Sequence, residues 1–173
     1  MIVGKTERLI LRHMNMDDLD ALCAVKCDPD VMEYSDGVMQ PAGVRGYIKE
    51  VRKHYKRHGF GPWALALQDI DAAIGYCGLS REMGRCADDE AEIGFRLATA
   101  HWGRGYATEA AAAAVAIGFH QHGLRRVIAI VDPENESSVN VLKKLGMTFE
   151  REIMFDWYDH PDHVYALNND AKP

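Results

Sequence analysis

Hydrophobic positions along the chain change repeatedly between an alternating spacing and a spacing of three or four residues. Alternating or continuous apolar runs predict strands, because successive side chains of a strand point to opposite faces, whereas the longer spacing is typical of amphipathic helices. The predicted strands cover residues 7–14, 63–68, 73–81, 90–97, 127–131, 147–154 and 164–168. The pattern therefore predicts a mixed α+β protein with a sheet of six to seven strands.

Two helices are predicted between the first and second strands. The first follows Asn15, a residue that caps helices well and here precedes an acidic first turn. The second begins at Pro41, which suits a first helical position, and closes at Gly59. About four helices are expected in all, because two more patterns follow later in the chain.

The two later helices enclose a buried strand. Residues 106–122 are rich in alanine, which favours helix and permits close packing on a sheet, and Gly123 ends the segment. A further helix starts at the cap Asn135 and ends at Gly146. The order of strand, helix, strand and helix predicts a crossover unit.

A glycine-rich turn leads directly into the alanine-rich helix. It consists of Trp102, Gly103, Arg104, Gly105, Tyr106, Ala107 and Thr108. Glycine permits backbone conformations closed to other residues, and the first N–H groups of a helix are free to bind an anion at the positive end of its dipole. The turn therefore predicts a site for a phosphorylated cofactor.

Two common nucleotide-binding loops fit this turn less well. A P-loop requires a lysine directly after its second glycine, but Tyr106 follows Gly105. The dinucleotide fingerprint is matched at Gly103 and Gly105, but Thr108 replaces its third glycine and no acidic residue for a ribose follows about 20 residues later. A nucleotide-binding enzyme is therefore the least favoured alternative.

The turn resembles the pyrophosphate loop of the GNAT acetyltransferases, Q/R-x-x-G-x-G/A. Gly105 and Ala107 match this pattern, whereas Trp102 replaces the usual glutamine or arginine. The longer pattern W-G-x-G-Y-A-x-E-A is similar to the RimJ/RimL-like group, whose members acetylate protein N-termini. Further motifs of that group occur in the same order, as TERLILR at 6–12, AEIGFRL at 91–97, NESS at 135–138 and KLGM at 144–147.

The resemblance implies the GNAT fold, a mostly antiparallel sheet that splays between the family's fourth and fifth strands. It also implies acetyl-CoA as the cosubstrate, bound by the seven residues of the turn and by Asn135. Free backbone groups of Phe95, Arg96 and Leu97 would bind the pantetheine arm. The acceptor would be a primary amine of a protein N-terminus or a small molecule, acetylated directly in a ternary complex.

Ser138 is the candidate general acid for the departing thiolate. Many acetyltransferases use a tyrosine further along this helix, but Leu142 occupies the matching position here, and the resembled group places a serine at N-x-x-S. The alternative is that Ser138 is an ordinary residue of the first helical turn. Asn135 is expected both to cap this helix and to contact the cofactor arm.

Glu92 is the candidate general base. In the wider family, a carboxylate on this strand draws a proton from the substrate ammonium through water. The alternative is a solvated strand residue, because Glu90 and Glu92 share one face by the two-residue period. An α-amine, with a pKa near 8, needs less help at neutral pH than a lysine at about 10.4.

Loss of the common tyrosine also leaves a second class of function open. A GNAT fold could retain acetyl-CoA as a sensor or structural ligand without transferring the acetyl group. The retained N-x-x-S motif and Glu92 favour the enzyme.

The histidines and cysteines predict no metal site. His54 and His58 are four residues apart, but with Cys23 or Cys27 they form no ligand set of recognisable spacing. A solvated helix face explains them better.

Other histidines and one tyrosine lie where they could contact a ligand. His101 precedes the glycine-rich turn, and Tyr158, His160 and His163 could line the acceptor pocket. The alternative for each is an ordinary surface loop.

Composition indicates one domain over residues 1–173, because this length with 47% hydrophobic residues can bury a core. The net charge of −6 argues against nucleic acid as a partner. Neither a signal-peptide core nor an apolar run of about 20 residues occurs, so we expect a cytoplasmic protein without a membrane partner. The sequence leaves open whether it is a monomer or a homodimer, and which amine it acetylates.

Overall fold

The computed structural model describes residues 1–69, 72–81, 86–156 and 159–169. The described strands are β1 (Ile2–Lys5), β2 (Leu9–Arg12), β3 (Pro62–Leu67), β4 (Ala73–Ser80), β5 (Glu90–Leu97), β6 (Arg126–Val131), β7 (Thr148–Ile153) and β8 (Asp162–Asn168). The α-helices in the same ranges are α1 (Leu19–Lys26), α2 (Pro41–His58), α3 (Tyr106–Gln121) and α4 (Glu136–Lys144). None of these helices is both long enough and apolar enough to cross a bilayer.

The eight strands form one sheet in the order β1-β2-β3-β4-β5-β6-β8-β7. Every neighbouring pair is antiparallel except β5 and β6, which are parallel and connected through α3. The predicted α+β class and mostly antiparallel sheet are therefore confirmed. The sheet contains one strand more than expected, because β1 precedes the strand predicted at residues 7–14.

β5 and β6 separate after a short ladder. They pair at only three positions, the last of which joins Glu92 to Ile128. Beyond that point β5 stays paired with β4 as far as Leu97, while β6 stays paired with β8. The predicted splay is confirmed, and it opens a gap beside the second half of β5.

Helices cover the two faces of the sheet near this gap. Leu79 of β4 packs on α3, where a Cβ added to Gly118 would lie 2.6 Å from the Leu79 Cδ1 atom. Tyr76, three residues earlier, therefore points to the opposite face. There it meets Lys26 of α1 and Tyr47 of α2.

The predicted helix boundaries are largely confirmed. The Asn15 side chain accepts a hydrogen bond from the Asp17 N–H, and Pro41 is the first residue of α2. Gly59 follows α2 with a φ of 80°, a left-handed conformation that suits glycine. A short 3₁₀ turn at Met16–Asp18 precedes α1.

Candidate active site

The glycine-rich turn forms an open cradle at the start of α3. Gly103 and Gly105 have φ values of 71° and 79°, so both adopt the left-handed conformation that glycine allows. α3 begins at Tyr106. Gly105 precedes it at the cap position and has no side chain, so no side-chain hydrogen bond caps the first turn. Residues 102–105 are exposed, and a Cβ added at Gly103 would meet nothing within 4 Å. This arrangement fits a pyrophosphate group.

Trp102 connects the turn to the end of β5. Its indole Nε1–H donates a hydrogen bond of 2.8 Å to the Leu97 carbonyl, while 49% of the residue remains exposed. The tryptophan therefore fixes the position of the turn relative to the gap between β5 and β6.

A partly buried carboxylate ties the turn to the N-terminal hairpin. Glu109 of α3 accepts hydrogen bonds from the Arg8 N–H at 2.9 Å, the Arg8 Nε at 2.7 Å and the Thr6 hydroxyl at 2.5 Å. The same guanidinium donates to the Arg104 carbonyl at 2.9 Å and lies 4.6 Å from the centre of the Tyr106 ring. Burial opposes ionisation of Glu109, but the bonds from Thr6 and Arg8 outweigh it and lower its pKa.

Removing this carboxylate should weaken the fold in a pH-dependent way. We expect Glu109→Ala to lower the free energy of unfolding at pH 7 by about 1–3 kcal/mol, because it leaves charged and polar donors unsatisfied. The pKa of Glu109 is lower when folded, so its contribution is present above its unfolded pKa and disappears as pH falls through the folded value. Denaturant unfolding across this pH range measures the contribution of Glu109 to stability. Glu7→Ala is the control, because Glu7 is exposed. A deficit that persists unchanged at acid pH would contradict the assignment.

Backbone groups of β5 face the gap at every second residue. The Ala98 N–H donates to the Ile74 carbonyl of the neighbouring strand at 2.9 Å. Because donors alternate along an antiparallel ladder, the N–H and C=O groups of Phe95 and Leu97 point away from β4. The Arg96 backbone points toward β4 instead. The alternation narrows the predicted pantetheine contacts to Phe95 and Leu97, and the Leu97 carbonyl already accepts from Trp102.

The start of α4 follows the end of β6. Asn135 accepts a hydrogen bond of 3.0 Å from the Ser138 N–H, which confirms the predicted cap. Ser138 is partly buried, and its hydroxyl forms no hydrogen bond with the residues that the structure describes. Leu142, at the position of the common tyrosine, is 1% exposed and belongs to the core. This serine is therefore available for a ligand.

Glu92 lies where the sheet opens. It is the last residue of the β5–β6 ladder, opposite Ile128 on one side and Ser80 on the other. Its side chain is partly buried. A carboxylate here lies at the inner end of the gap.

Two cations converge on one phenol beside β5. Lys26, only 4% exposed, lies 3.4 Å from the Tyr76 hydroxyl and 4.1 Å above the Tyr47 ring. Arg96 donates to the Tyr76 hydroxyl at 2.8 Å, and its other terminal nitrogen donates to the Ser35 hydroxyl. We call these five residues the cationic cluster.

The cationic cluster changes the acidity of its phenol. Burial alone would raise the pKa of Tyr76, but the adjacent charges of Arg96 and Lys26 outweigh burial and lower it. For Arg96, burial lowers the pKa, but Tyr76, Tyr47 and Asp36 together outweigh burial and raise it. Lys26 and Arg96 both contact the Tyr76 hydroxyl, and like charges this close repel, so the cluster favours a negative partner.

The cationic cluster was not predicted from the sequence. Arg96 was expected to contribute only backbone contacts to the pantetheine arm, and no role was predicted for Lys26. Nothing in the local pattern shows that these side chains meet, because they come from α1 and β5 and converge on a tyrosine of β4.

Acidic residues gather beyond the end of β6. Asp132, His160 and Asp162 bring one ligand atom each within 4.8 Å of one another, and both aspartates are buried. His160 contacts Asp159 at 2.8 Å and Asp132 at 3.0 Å, and these hydrogen bonds raise its pKa. No ion accompanies this group, and the absence of a metal stays a prediction.

The remaining histidines differ in their surroundings. His54 has a structural role, since its Nδ1 lies 2.8 Å from the Phe60 carbonyl and its Nε2 accepts from the Arg81 N–H at 3.1 Å. His163 packs against the Phe149 ring of β7. The predicted pocket residue Tyr158 lies outside the described residues.

The chain matches the model of the acetyltransferase (GNAT) domain over residues 8–148. The chain belongs to the GNAT acetyltransferase family. The uncharacterized N-acetyltransferase p20 of Bacillus licheniformis is 33% identical over 162 residues, covering 89% of this chain and 85% of the relative. This GNAT protein is therefore an acyltransferase, and the family uses acetyl-CoA.

Solved structures of GNAT proteins share the fold. An acetyltransferase of the family from Bacillus anthracis superposes with a TM-score of 0.85 at 26% identity, covering 97% of this chain and 98% of the other. RimL, a ribosomal L7/L12 α-N-protein acetyltransferase in complex with coenzyme A, gives a TM-score of 0.85 at 18% identity, covering 99% and 100%. The second likeness concerns the fold alone. The family relationship does not favour the sensor alternative.

Proposed function

We propose that this GNAT protein transfers an acetyl group from acetyl-CoA to a primary amine in a ternary complex. The observation that carries the proposal is the exposed cradle of Gly103 and Gly105 at the start of α3, next to a gap in the sheet. Phosphate oxygens suit the free N–H groups of the first helical turn. Without such a group, these donors would remain exposed to water alone.

The proposed contacts cover the pyrophosphate, the pantetheine arm and the thioester of the cosubstrate. The pyrophosphate would bind at residues 102–108, and the pantetheine arm would extend along the outward backbone groups of Phe95 and Leu97. Asn135 would approach the arm from the opposite side of the gap. A backbone N–H of β5 would polarise the thioester carbonyl, and donors aimed at a developing oxyanion typically contribute about 3 kcal/mol.

Proton transfers would occur on the two sides of the gap. Glu92 would take a proton from the substrate ammonium through water, which leaves a neutral amine to form the new N–C bond. The C–S bond of the thioester then breaks, and Ser138 would donate a proton to the departing thiolate. The surplus proton of the new amide nitrogen would pass back to Ser138 and restore its hydroxyl. Each general acid or base of this kind typically contributes about 10²–10⁴-fold.

Either a protein N-terminus or a small molecule could supply the amine. The fold likeness to RimL, named for acetylating an α-amine of a ribosomal protein, supports an α-amine, whose pKa near 8 makes it easier to deprotonate.

Release of the CoA thiol over a panel of amines and peptides tests the transfer. Product masses identify the acceptor. Binding of acetyl-CoA without thiol release over the whole panel would contradict the proposal.

Replacing Glu92 should produce a loss that depends on pH. We expect Glu92→Gln to lower kcat/KM most at low pH, where the amine is protonated, and less as pH approaches the pKa of the amine. Glu90→Gln is the matched control, because Glu90 shares the strand and face but is paired with Arg126 at 2.6 Å. A loss for Glu92→Gln that is uniform across pH would assign it a structural role.

A further inference from the structure

We propose that the acceptor carries a carboxylate close to its amine, as a free amino acid does, and that the cationic cluster binds this carboxylate. The inference rests on the proposed acetyl transfer and names the substrate class for the same site. It starts from the two cations that the fold brings together at Tyr76.

The cationic cluster lacks a carboxylate partner among the described residues. None of the ion pairs in that part of the chain involves Lys26 or Arg96. The exposed residue Asp36 also raises the pKa of Arg96, but its effect is smaller than those of burial, Tyr76 and Tyr47. Asp36 forms no ion pair with Arg96. Buried charges in proteins are normally paired, since desolvation is costly. Two cations whose partners among the described residues are hydroxyl groups and aromatic rings, and no carboxylate, therefore point to an anionic ligand.

The cationic cluster lies on the same face of β5 as the candidate base. Side chains two residues apart share a face at a spacing of about 7 Å, so Glu92, Gly94 and Arg96 form one row. Gly94 is exposed, and a Cβ added there would meet nothing within 4 Å. An acceptor above Gly94 would have its amine toward Glu92 and its carboxylate toward Arg96.

The charge of the cationic cluster distinguishes among possible amine acceptors. Glu92 and Arg96 lie two steps of this row apart, so a compact α-amino acid, with only two carbon atoms between its amine nitrogen and its carboxylate oxygens, would lie between the ends of their side chains. A polyamine would instead bring a second positive charge toward Lys26 and Arg96. The cationic cluster should therefore reject polyamines.

The first test compares matched acceptors with the wild-type protein. Each amino acid is assayed for CoA thiol release beside its own carboxamide and the amine that lacks the carboxylate. We expect kcat/KM to be at least about tenfold higher for the acid, since a hydrogen bond to a charged group contributes enough for such a factor. Equal or better rates with the carboxamide, with spermidine or with neutral peptides would overturn the inference.

The second test uses substitutions in the cationic cluster. Arg96→Gln and Lys26→Met should raise KM for the preferred acid at least about tenfold and leave KM for its carboxamide nearly unchanged. Arg96→Lys should keep part of the preference for the acid over its carboxamide, because lysine keeps the positive charge. Lys53→Met is the control, since Lys53 is exposed on α2 and paired with Glu50. Similar losses for the acid and its carboxamide would indicate a structural role and overturn the inference.

Calorimetry of acetyl-CoA separates this inference from the proposed function. Each variant should bind acetyl-CoA within a few-fold of wild type, because the side chains of the cationic cluster leave the backbone of Phe95 and Leu97 in place. Transfer to amines without a preference for carboxylates would overturn this inference alone. No transfer to any amine, despite acetyl-CoA binding, would overturn both proposals.

Discussion

Gly105→Asp is expected to abolish measurable binding of acetyl-CoA, whereas Gly105→Asn should retain a large part of it. Asp and Asn are similar in size, and both tolerate the left-handed conformation that Gly105 adopts better than most residues do. Only Asp introduces a negative charge where the pyrophosphate should bind. We expect the affinity of Gly105→Asp to fall at least about a hundredfold, or about 2.7 kcal/mol.

Calorimetric titration with acetyl-CoA measures this difference, and thermal unfolding without ligand shows whether each variant is folded. A Cβ at residue 105 would lie 3.5 Å from the Arg8 Nη2 atom, so the aspartate can also draw this guanidinium away from Glu109. A loss caused by unfolding would appear in the melting curve. Equal affinities of the folded Asp and Asn variants for acetyl-CoA would show that the pyrophosphate does not bind at this turn.

Ser138→Ala should lower kcat at least about a hundredfold and change acetyl-CoA affinity by no more than a few-fold. The hydroxyl is lost, but the backbone N–H that Asn135 accepts from remains, so the cap of α4 should survive. The thiol of CoA is itself a moderately good leaving group, which limits how much a general acid can contribute.

Ser137→Ala provides a close control, because Ser137 is the preceding residue of the same helical turn and is exposed. It should leave kcat near the wild-type value. Retention of more than about a third of kcat by Ser138→Ala would assign the proton to water or another group and return Ser138 to an ordinary first-turn serine.

Most of the fold could be predicted from local patterns. β5 begins and ends where the alternation predicts, and Pro41, Gly59 and Asn135 mark helix ends as expected. β1 was missed because four residues with a glycine give too short a pattern. A distant contact also bears on Gly4, since an added Cβ would lie 2.9 Å from the Ile117 Cδ1 atom of α3 and displace the end of that side chain.

Less of the candidate site could be predicted. The glycine turn is visible in the sequence because its chemistry depends on neighbouring residues and on backbone conformation. The bonds of Arg8 to Glu109 and of Lys26 to Tyr76 depend on contacts between distant segments. Such contacts become apparent only when the sheet order and the helix packing are known.

The hydrogen bonds between Arg8 and Glu109 also bear on how the protein folds, because they join residues 101 positions apart. Closing a long loop costs entropy before the contact stabilises the chain, and contacts of this range slow folding. On the ribosome, the N-terminal hairpin cannot dock on α3 until that helix has emerged. We therefore expect competence to bind acetyl-CoA to appear late in refolding, together with the global structure.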